Sequence, residues 1–171
     1  MEFLKDPEMQ EIIDGFVEET NGLLLELRGC LEDFENDPTN NSKLEEFGQK
    51  IDRIMGAAKT IGADAIGKIC ALGKMIGYKA SQSSDVALNQ IVCGVMFDCV
   101  DLLEEMMKGI EKRDMSSVKT NVEAFISRMK WLAEKFKHIE RSSVAIESEK
   151  PKKKKVNTTP EFEKLLSGGK K

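Results

Sequence analysis

Apolar residues recur every three or four positions between residues 44 and 62, and this period constrains the fold more than any other feature of the chain. The spacing is typical of one face of an amphipathic helix rather than of a strand. Gly62, directly after the last apolar residue, indicates where this helix ends. The residues of the apolar face are Leu44, Phe47, Ile51, Ile54, Met55, Ala58 and Ile61.

A second set of residues in the same segment has the same period and points the opposite way. At 100° per residue its members fall within about 80° of one another, on the exposed side of the helix. Gly56 is unusual among them because glycine costs about 1 kcal/mol relative to alanine in a helix interior. We infer that a partner comes close to the backbone beside Asp52. The set is Glu45, Gln49, Asp52, Gly56 and Lys59.

A helix precedes this segment and begins at an acid followed by proline, Asp6 and Pro7, as helix N-termini commonly do. Pro38 ends it, since the residue before a proline avoids helical geometry. Ser42 and Glu45 then have the spacing of a capping box for the second helix. The apolar face predicted for the first helix is Ile12, Ile13, Phe16, Val17, Leu23, Leu24, Leu27, Leu31 and Phe34.

Three more helices are predicted after Gly62. Asp64 is expected to cap a third helix over residues 65–80, whose three glycines make it depend on close packing against its neighbours. Residues 83–85 start a long fourth helix that residues 112–114 interrupt. A fifth follows Ser116, with apolar residues as far as Ile139 and with Trp131 and Phe136 expected in the core.

Short links between these helices predict an all-α fold, an antiparallel helical bundle of residues 1–141. Residues 142–158 are polar, lysine-rich and without period, which predicts a flexible linker. Residues 159–171 follow as a short amphipathic tail. Its eight-residue apolar turn is too short to hold a helix alone, so we expect it to dock on a partner or to fray. The apolar residues of this tail are Phe162, Leu165 and Leu166.

Charge and cysteine content narrow the function classes. The tail from residue 142 carries eight lysines and four glutamates, so residues 1–141 hold a net charge of −8 within a total of −4. An acidic body argues against nucleic acid as the partner. The four cysteines lie on or beside apolar faces, which predicts reduced core thiols in a cytoplasmic protein. No metal or cofactor site is expected, and no apolar run is judged long enough for integral membrane contact.

The glycine spacing around Asp52 resembles the histidine-containing phosphotransfer (HPt) domain, above all the CheA-type phosphotransfer domain of chemotaxis kinases. That family carries H-x-x-K-G-x-x-x-x-x-G on a bundle helix. With Gly56 and Gly62 on the two glycines, Asp52 replaces the phosphorylated histidine and Met55 replaces the lysine. The resemblance implies a four-helix HPt-like core, here with a fifth helix added.

The same resemblance implies that the transfer chemistry is missing. Side chains that support the histidine in the chemotaxis domains, 19 and 22 positions later, correspond here to Ala71 and Lys74. Phosphotransfer needs a nucleophilic imidazole nitrogen, which Asp52 lacks. If the family geometry holds, Lys74 faces Asp52 and pairs with it.

These residues favour a non-phosphorylatable pseudo-HPt protein, not an enzyme. It would bind a receiver domain or a chemotaxis-type histidine kinase and modulate two-component signalling. A CheZ-like phosphatase that uses Gln49 and Asp52 on a phosphorylated receiver is one alternative, and a structural adaptor bundle is another. The expected partner-binding residues are Glu45, Gln49, Asp52, Gly56, Lys59, Lys74, Phe162, Leu165 and Leu166.

Overall fold

Five α-helices make up the protein in a computed structural model that describes residues 1–137. They are α1 (Gln10–Asn36), α2 (Ser42–Ile61), α3 (Asp64–Ser81), α4 (Val86–Glu111) and α5 (Lys119–Glu134). Two short 3-10 turns, Glu2–Lys5 and Pro7–Met9, precede them. The all-α antiparallel bundle is therefore confirmed. The predictions for Ile139, the linker 142–158 and the tail 159–171 lie outside the described residues.

The first four helices form the core of the bundle, and α5 is added to one side. α1 packs between α2 and α4, while α3 contacts both α2 and α4. α5 lies mainly against α3 and touches α4 less extensively. The interior is built from large apolar side chains that are fully buried, among them Phe34, Phe47, Phe136, Ile13, Leu27, Leu31, Ile51 and Ile66.

Several helix ends are confirmed. The Asp85 carboxylate accepts a hydrogen bond from the Leu88 amide at 3.0 Å at the start of α4. The Asp6 carboxylate accepts one from the Glu8 amide at 3.0 Å, but it caps the 3-10 turn Pro7–Met9, so the predicted start of the first α-helix lies before its observed start at Gln10. Gly62 ends α2 in the left-handed conformation, with φ of 81°. That backbone geometry suits glycine, because a side chain there would be strained.

Two predicted caps are wrong by one residue. Asn41, not Ser42, is the N-cap of α2, and no side chain caps this end. The Ser42 hydroxyl donates to the Asn40 side-chain oxygen instead, so no capping box with Glu45 forms. Ala63 precedes α3, which places Asp64 inside the first turn. There its charge still favours the helix N-terminus, although it caps no amide.

Two apolar side chains predicted to be buried are exposed. Ile12 is 52% exposed at the edge of the α1 stripe, and Trp131 is 61% exposed on α5. The Lys135 ammonium lies over the Trp131 ring at 4.6 Å from its centroid, a cation–π contact on the surface. Phe136, in contrast, is buried as expected.

Glycines allow α2 and α3 to approach closely, as predicted, at two of the three glycines of α3, while a methyl group added at the third, Gly67, would make only an ordinary contact with Lys59 at 3.7 Å. A methyl group added at Gly77 would lie 3.0 Å from the Leu44 carbonyl oxygen, and one at Gly73 would lie 2.9 Å from the end of Ile51. Gly48 faces Tyr78 in the same way, at 3.0 Å. At Gly77 the backbones of the two helices are therefore too close for a side chain, whereas at Gly73 and Gly48 the close neighbours are side chains.

The four cysteines are free and buried, as predicted. Burial raises the pKa of the thiols of Cys30 and Cys93 to about 11 and that of Cys99 to about 12. The pKa of Cys70 is also raised by burial. Desolvation disfavours the thiolate, so these groups are held as neutral thiols that pack like small apolar residues.

α4 is more apolar than the sequence analysis allowed. By length and composition alone it suffices to cross a membrane, with a mean hydropathy of 1.7 over 18 residues. It is the one such helix within residues 1–137. In the bundle 44% of that stretch is buried, and α4 packs against α1 and α3. The core helix of a bundle passes the same test of length and composition.

Charge is divided between two sides of the bundle. α1 carries eight acidic residues and one arginine, and the adjacent α4 carries five acidic residues and one lysine. α2, α3 and α5 together carry ten basic and six acidic residues. The α1–α4 side is thus strongly acidic, whereas the α2–α3–α5 side is net basic.

Candidate functional site

The outward surface of α2 carries the residues singled out from the sequence, and α3 borders it. Gln49, Gly56 and Lys59 are exposed, while Glu45 and Asp52 are half-buried. Helical periodicity brings all five to one surface of the molecule, as predicted.

Asp52 and Lys74 form an ion pair between α2 and α3, as expected. The Lys74 ammonium lies 3.2 Å from the Asp52 carboxylate, with side chains that are 21% and 43% exposed respectively. Ala71, one turn earlier on α3, is exposed and offers no polar atom to Asp52. The contact joins two helices across a partly solvated groove, where such a pair contributes at most about 1 kcal/mol.

Gly56 has open space around it. A methyl group added there would meet nothing within 4 Å. The Thr60 hydroxyl donates a hydrogen bond to the Gly56 carbonyl oxygen at 3.0 Å, one turn further along the helix. Packing inside the protein therefore gives no reason for a glycine at this position, in contrast to Gly73 and Gly77.

The opposite edge of α2 is held to α1 by ion pairs that the sequence analysis missed. Lys50 lies 3.0 Å from Glu26, and Arg53 lies 3.5 Å from Glu19. The hydrogen bond from Lys50 lowers the pKa of Glu26. Asp33 of α1 likewise lies 3.4 Å from Lys43 of α2. A signal for these pairs was present in the sequence, since Glu19, Glu26 and Asp33 follow one another at intervals of seven residues.

The α2 surface presents only a few polar groups. The described residues contain no cluster of three potential metal ligands, and no imidazole lies among residues 1–137. The polar groups of the surface include the exposed amide of Gln49, the paired carboxylate and ammonium of Asp52 and Lys74, and the uncovered helix backbone at Gly56. The predicted tail residues Phe162, Leu165 and Leu166 lie outside the described part of the chain.

No family model matches the chain. No solved structure matches it. The resemblance to HPt domains therefore rests on the residues quoted above.

Proposed function

We propose that the protein is a non-phosphorylatable pseudo-HPt protein. It binds a receiver domain or a chemotaxis-type histidine kinase through the surface of α2 and α3, and so modulates two-component signalling without carrying phosphate itself. The observation that carries the proposal is the Asp52–Lys74 ion pair in a bundle whose glycine spacing resembles the HPt motif.

The pair supports binding because it gives this surface a fixed electrostatic character. A phosphohistidine would add a charge of about −2. Asp52 contributes −1 permanently, and the ammonium of Lys74 balances it. A partner would therefore meet the same surface at all times, rather than one that changes with phosphorylation.

Gly56 supports the location of the contact. Its exposed backbone lies one turn from Asp52, and the space above it is open. A partner side chain or helix can approach there more closely than above any other residue of the α2 surface. This accounts for a glycine that costs about 1 kcal/mol of helix stability.

The phosphatase alternative is less well supported. In a CheZ-like mechanism the carboxylate engages the lysine of the receiver while the amide orients water. Here Asp52 already has a lysine partner on its own chain. The order of the residues, Gln49 before Asp52, is also reversed. The adaptor alternative assigns the partner to another face of the bundle, which the following experiment tests.

The experiment measures affinity of the full chain for receiver domains and chemotaxis-type kinases of its own organism by titration calorimetry. Gly56→Arg should weaken binding at least tenfold, about 1.4 kcal/mol, because the new side chain fills the approach to Asp52. Gly94→Arg is the matched control: Gly94 is an exposed helical glycine with equally open space, on α4.

The two variants distinguish the candidate functions. An equal loss of affinity in both variants, or no loss in either, would place the contact elsewhere on the bundle and favour the adaptor. Binding of a receiver that shortens the lifetime of its acyl phosphate, with Gln49→Ala abolishing the effect, would favour the phosphatase.

A further inference from the structure

A second surface feature lies apart from the α2 site, at the end of the bundle where α3 and α5 begin and α4 ends. It is an apolar groove of about 600 Å³, a size typical of ligand and peptide sites. Its wall consists mainly of aliphatic and thioether side chains: Ala65, Met106, Met115, Val118, Val122 and Ile126.

The groove has charged side chains of both signs at its rim. Lys68 and Lys119 supply the positive charges, and Asp64 and Glu123 the negative ones. All four are exposed. An apolar floor with a mixed charged rim fits an amphipathic segment whose flanks carry both signs.

We propose that this groove binds the tail of the same chain, residues 160–167, as a short amphipathic helix. Phe162, Leu165 and Leu166 have the i, i+3, i+4 spacing by which a helix anchors in an apolar groove. Glu161, Glu163 and Lys164 flank them and match the mixed signs of the rim.

The length of the intervening chain fits this placement. Phe162 is the twenty-fifth residue after Lys137, the last described residue. A flexible chain of that length spans about 25–30 Å on average. Along α5, the distance from the end of the described chain back to Val122 is about 22 Å, at 1.5 Å per residue.

A linker whose average span matches the distance it must bridge gives the highest effective concentration, on the order of millimolar. A segment too short to form a helix alone therefore folds on the groove without needing high affinity. The inference does not depend on the proposed receiver or kinase. If such a partner also binds Phe162 and Leu166, these side chains must first leave the groove.

Paramagnetic broadening in NMR tests the proposal on the full chain. A spin label on Ser167→Cys should be selective, because the four native thiols are buried and have raised pKa values. The label should strongly broaden the amide resonances of Ala65, Lys119 and Ile126. Those of Leu25 and Gly56, on other faces of the bundle, should be unaffected.

Two variants and one control complete the test. Ile126→Lys, at a half-buried groove position, and the double change Phe162→Ser with Leu166→Ser should each abolish the broadening at the groove. Leu25→Lys, at an aliphatic residue that is 71% exposed on α1, should leave it unchanged.

Three results would overturn the proposal. The first is weak broadening spread evenly over all faces. The second is strong broadening at the α2–α3 surface. The third is broadening of an unlabelled ¹⁵N chain when it is mixed with spin-labelled ¹⁴N chain, because that would show binding between molecules rather than within one.

Discussion

In the proposed pseudo-HPt protein, the side chain of Asp52 sets the chemistry of the α2 surface. An imidazole can accept and return a phosphoryl group, whereas a carboxylate paired with lysine serves as a fixed charge. The ion pair at 3.2 Å with Lys74 uses the carboxylate as a link between α2 and α3. In the proposed pseudo-HPt protein, Ala71 stands where the chemotaxis domains have a second polar side chain beside the histidine.

Restoring the histidine alone should not restore phosphorylation. In Asp52→His the new imidazole faces the Lys74 ammonium instead of the supporting acid or imidazole of the chemotaxis domains. Incubation with a chemotaxis-type kinase and radiolabelled ATP should leave both the wild type and this variant unlabelled. Acid-labile label on the wild type, mapped to Asp52 or to His138, the single histidine of the chain, would contradict the proposed function.

The buried thiols predict a loss of stability in alkali. Their pKa is raised in the folded protein, so above the unfolded value of about 8.5 the unfolded chain binds fewer protons and unfolding becomes more favourable. Between pH 8.5 and 10, Cys99 should account for up to about 2 kcal/mol of this loss.

Urea unfolding at pH 7.5 and pH 10 measures that contribution. Cys99→Ala should reduce the difference in stability between the two pH values. Val100→Ala is the control, since it removes volume from an equally buried position without removing a titrating group. An unchanged pH difference in Cys99→Ala would show that other groups dominate alkaline unfolding.

At the scale of helices, the glycines fall into two groups with different physical roles. Gly77 is needed for the contact between α2 and α3, because an added methyl group would lie 3.0 Å from a backbone oxygen, whereas at Gly73 it would meet the end of the Ile51 side chain at 2.9 Å. Gly22 of α1 and Gly94 of α4 have nothing within 4 Å. At these two positions we expect glycine only to add conformational entropy to the unfolded chain.

Alanine substitution should separate the two groups. Gly22→Ala and Gly94→Ala should each stabilise the protein by about 0.5–1 kcal/mol. Gly77→Ala should destabilise it by about 1–3 kcal/mol, since the Leu44 backbone oxygen cannot move aside as a side chain can. Midpoints of urea unfolding measure all three. A stabilised Gly77→Ala would mean that α2 and α3 separate at little cost.

The helices were predictable from the sequence because their signals are local. Asp6, Asp85 and Gly62 act on amides or backbone angles within a few residues of themselves. Where two adjacent residues could each be the N-cap, however, the sequence does not decide between them, and Asn41 rather than Ser42 is the N-cap of α2.

Burial at the edge of a stripe was less predictable. Periodicity locates the centre of an apolar face, but whether an edge residue is covered depends on where the next helix lies. Ile12 and Trp131 are exposed for this reason. The α1–α2 ion pairs were missed for a related reason, because they exist only where α1 and α2 pack side by side. The Asp52–Lys74 pair was found because the family resemblance supplied that neighbour.

At the scale of the whole molecule, the division of charge affects how a partner arrives. The proposed α2–α3 site lies on the net basic side, opposite the acidic surface of α1 and α4. A partner with an acidic contact surface would be attracted to the correct side before contact.

Association at the proposed site should therefore depend on salt. Raising NaCl from 50 mM to 500 mM should slow association with such a partner several-fold, because screening shortens the range of the attraction. The dissociation rate should change less. Stopped-flow fluorescence of Trp131, the single tryptophan, measures both rates. An association rate that rises with salt would indicate contact through the acidic side.

The close glycine-lined contact between α2 and α3 also has a kinetic consequence. Only Gly62 and Ala63 separate the two helices, so bringing them together costs little loop entropy. Contacts between segments so near in sequence form early in folding. The α2–α3 hairpin should thus be structured in the transition state for folding. Gly77→Ala should therefore slow folding. Changes at the α1–α4 contact, between helices far apart in the chain, would instead speed unfolding.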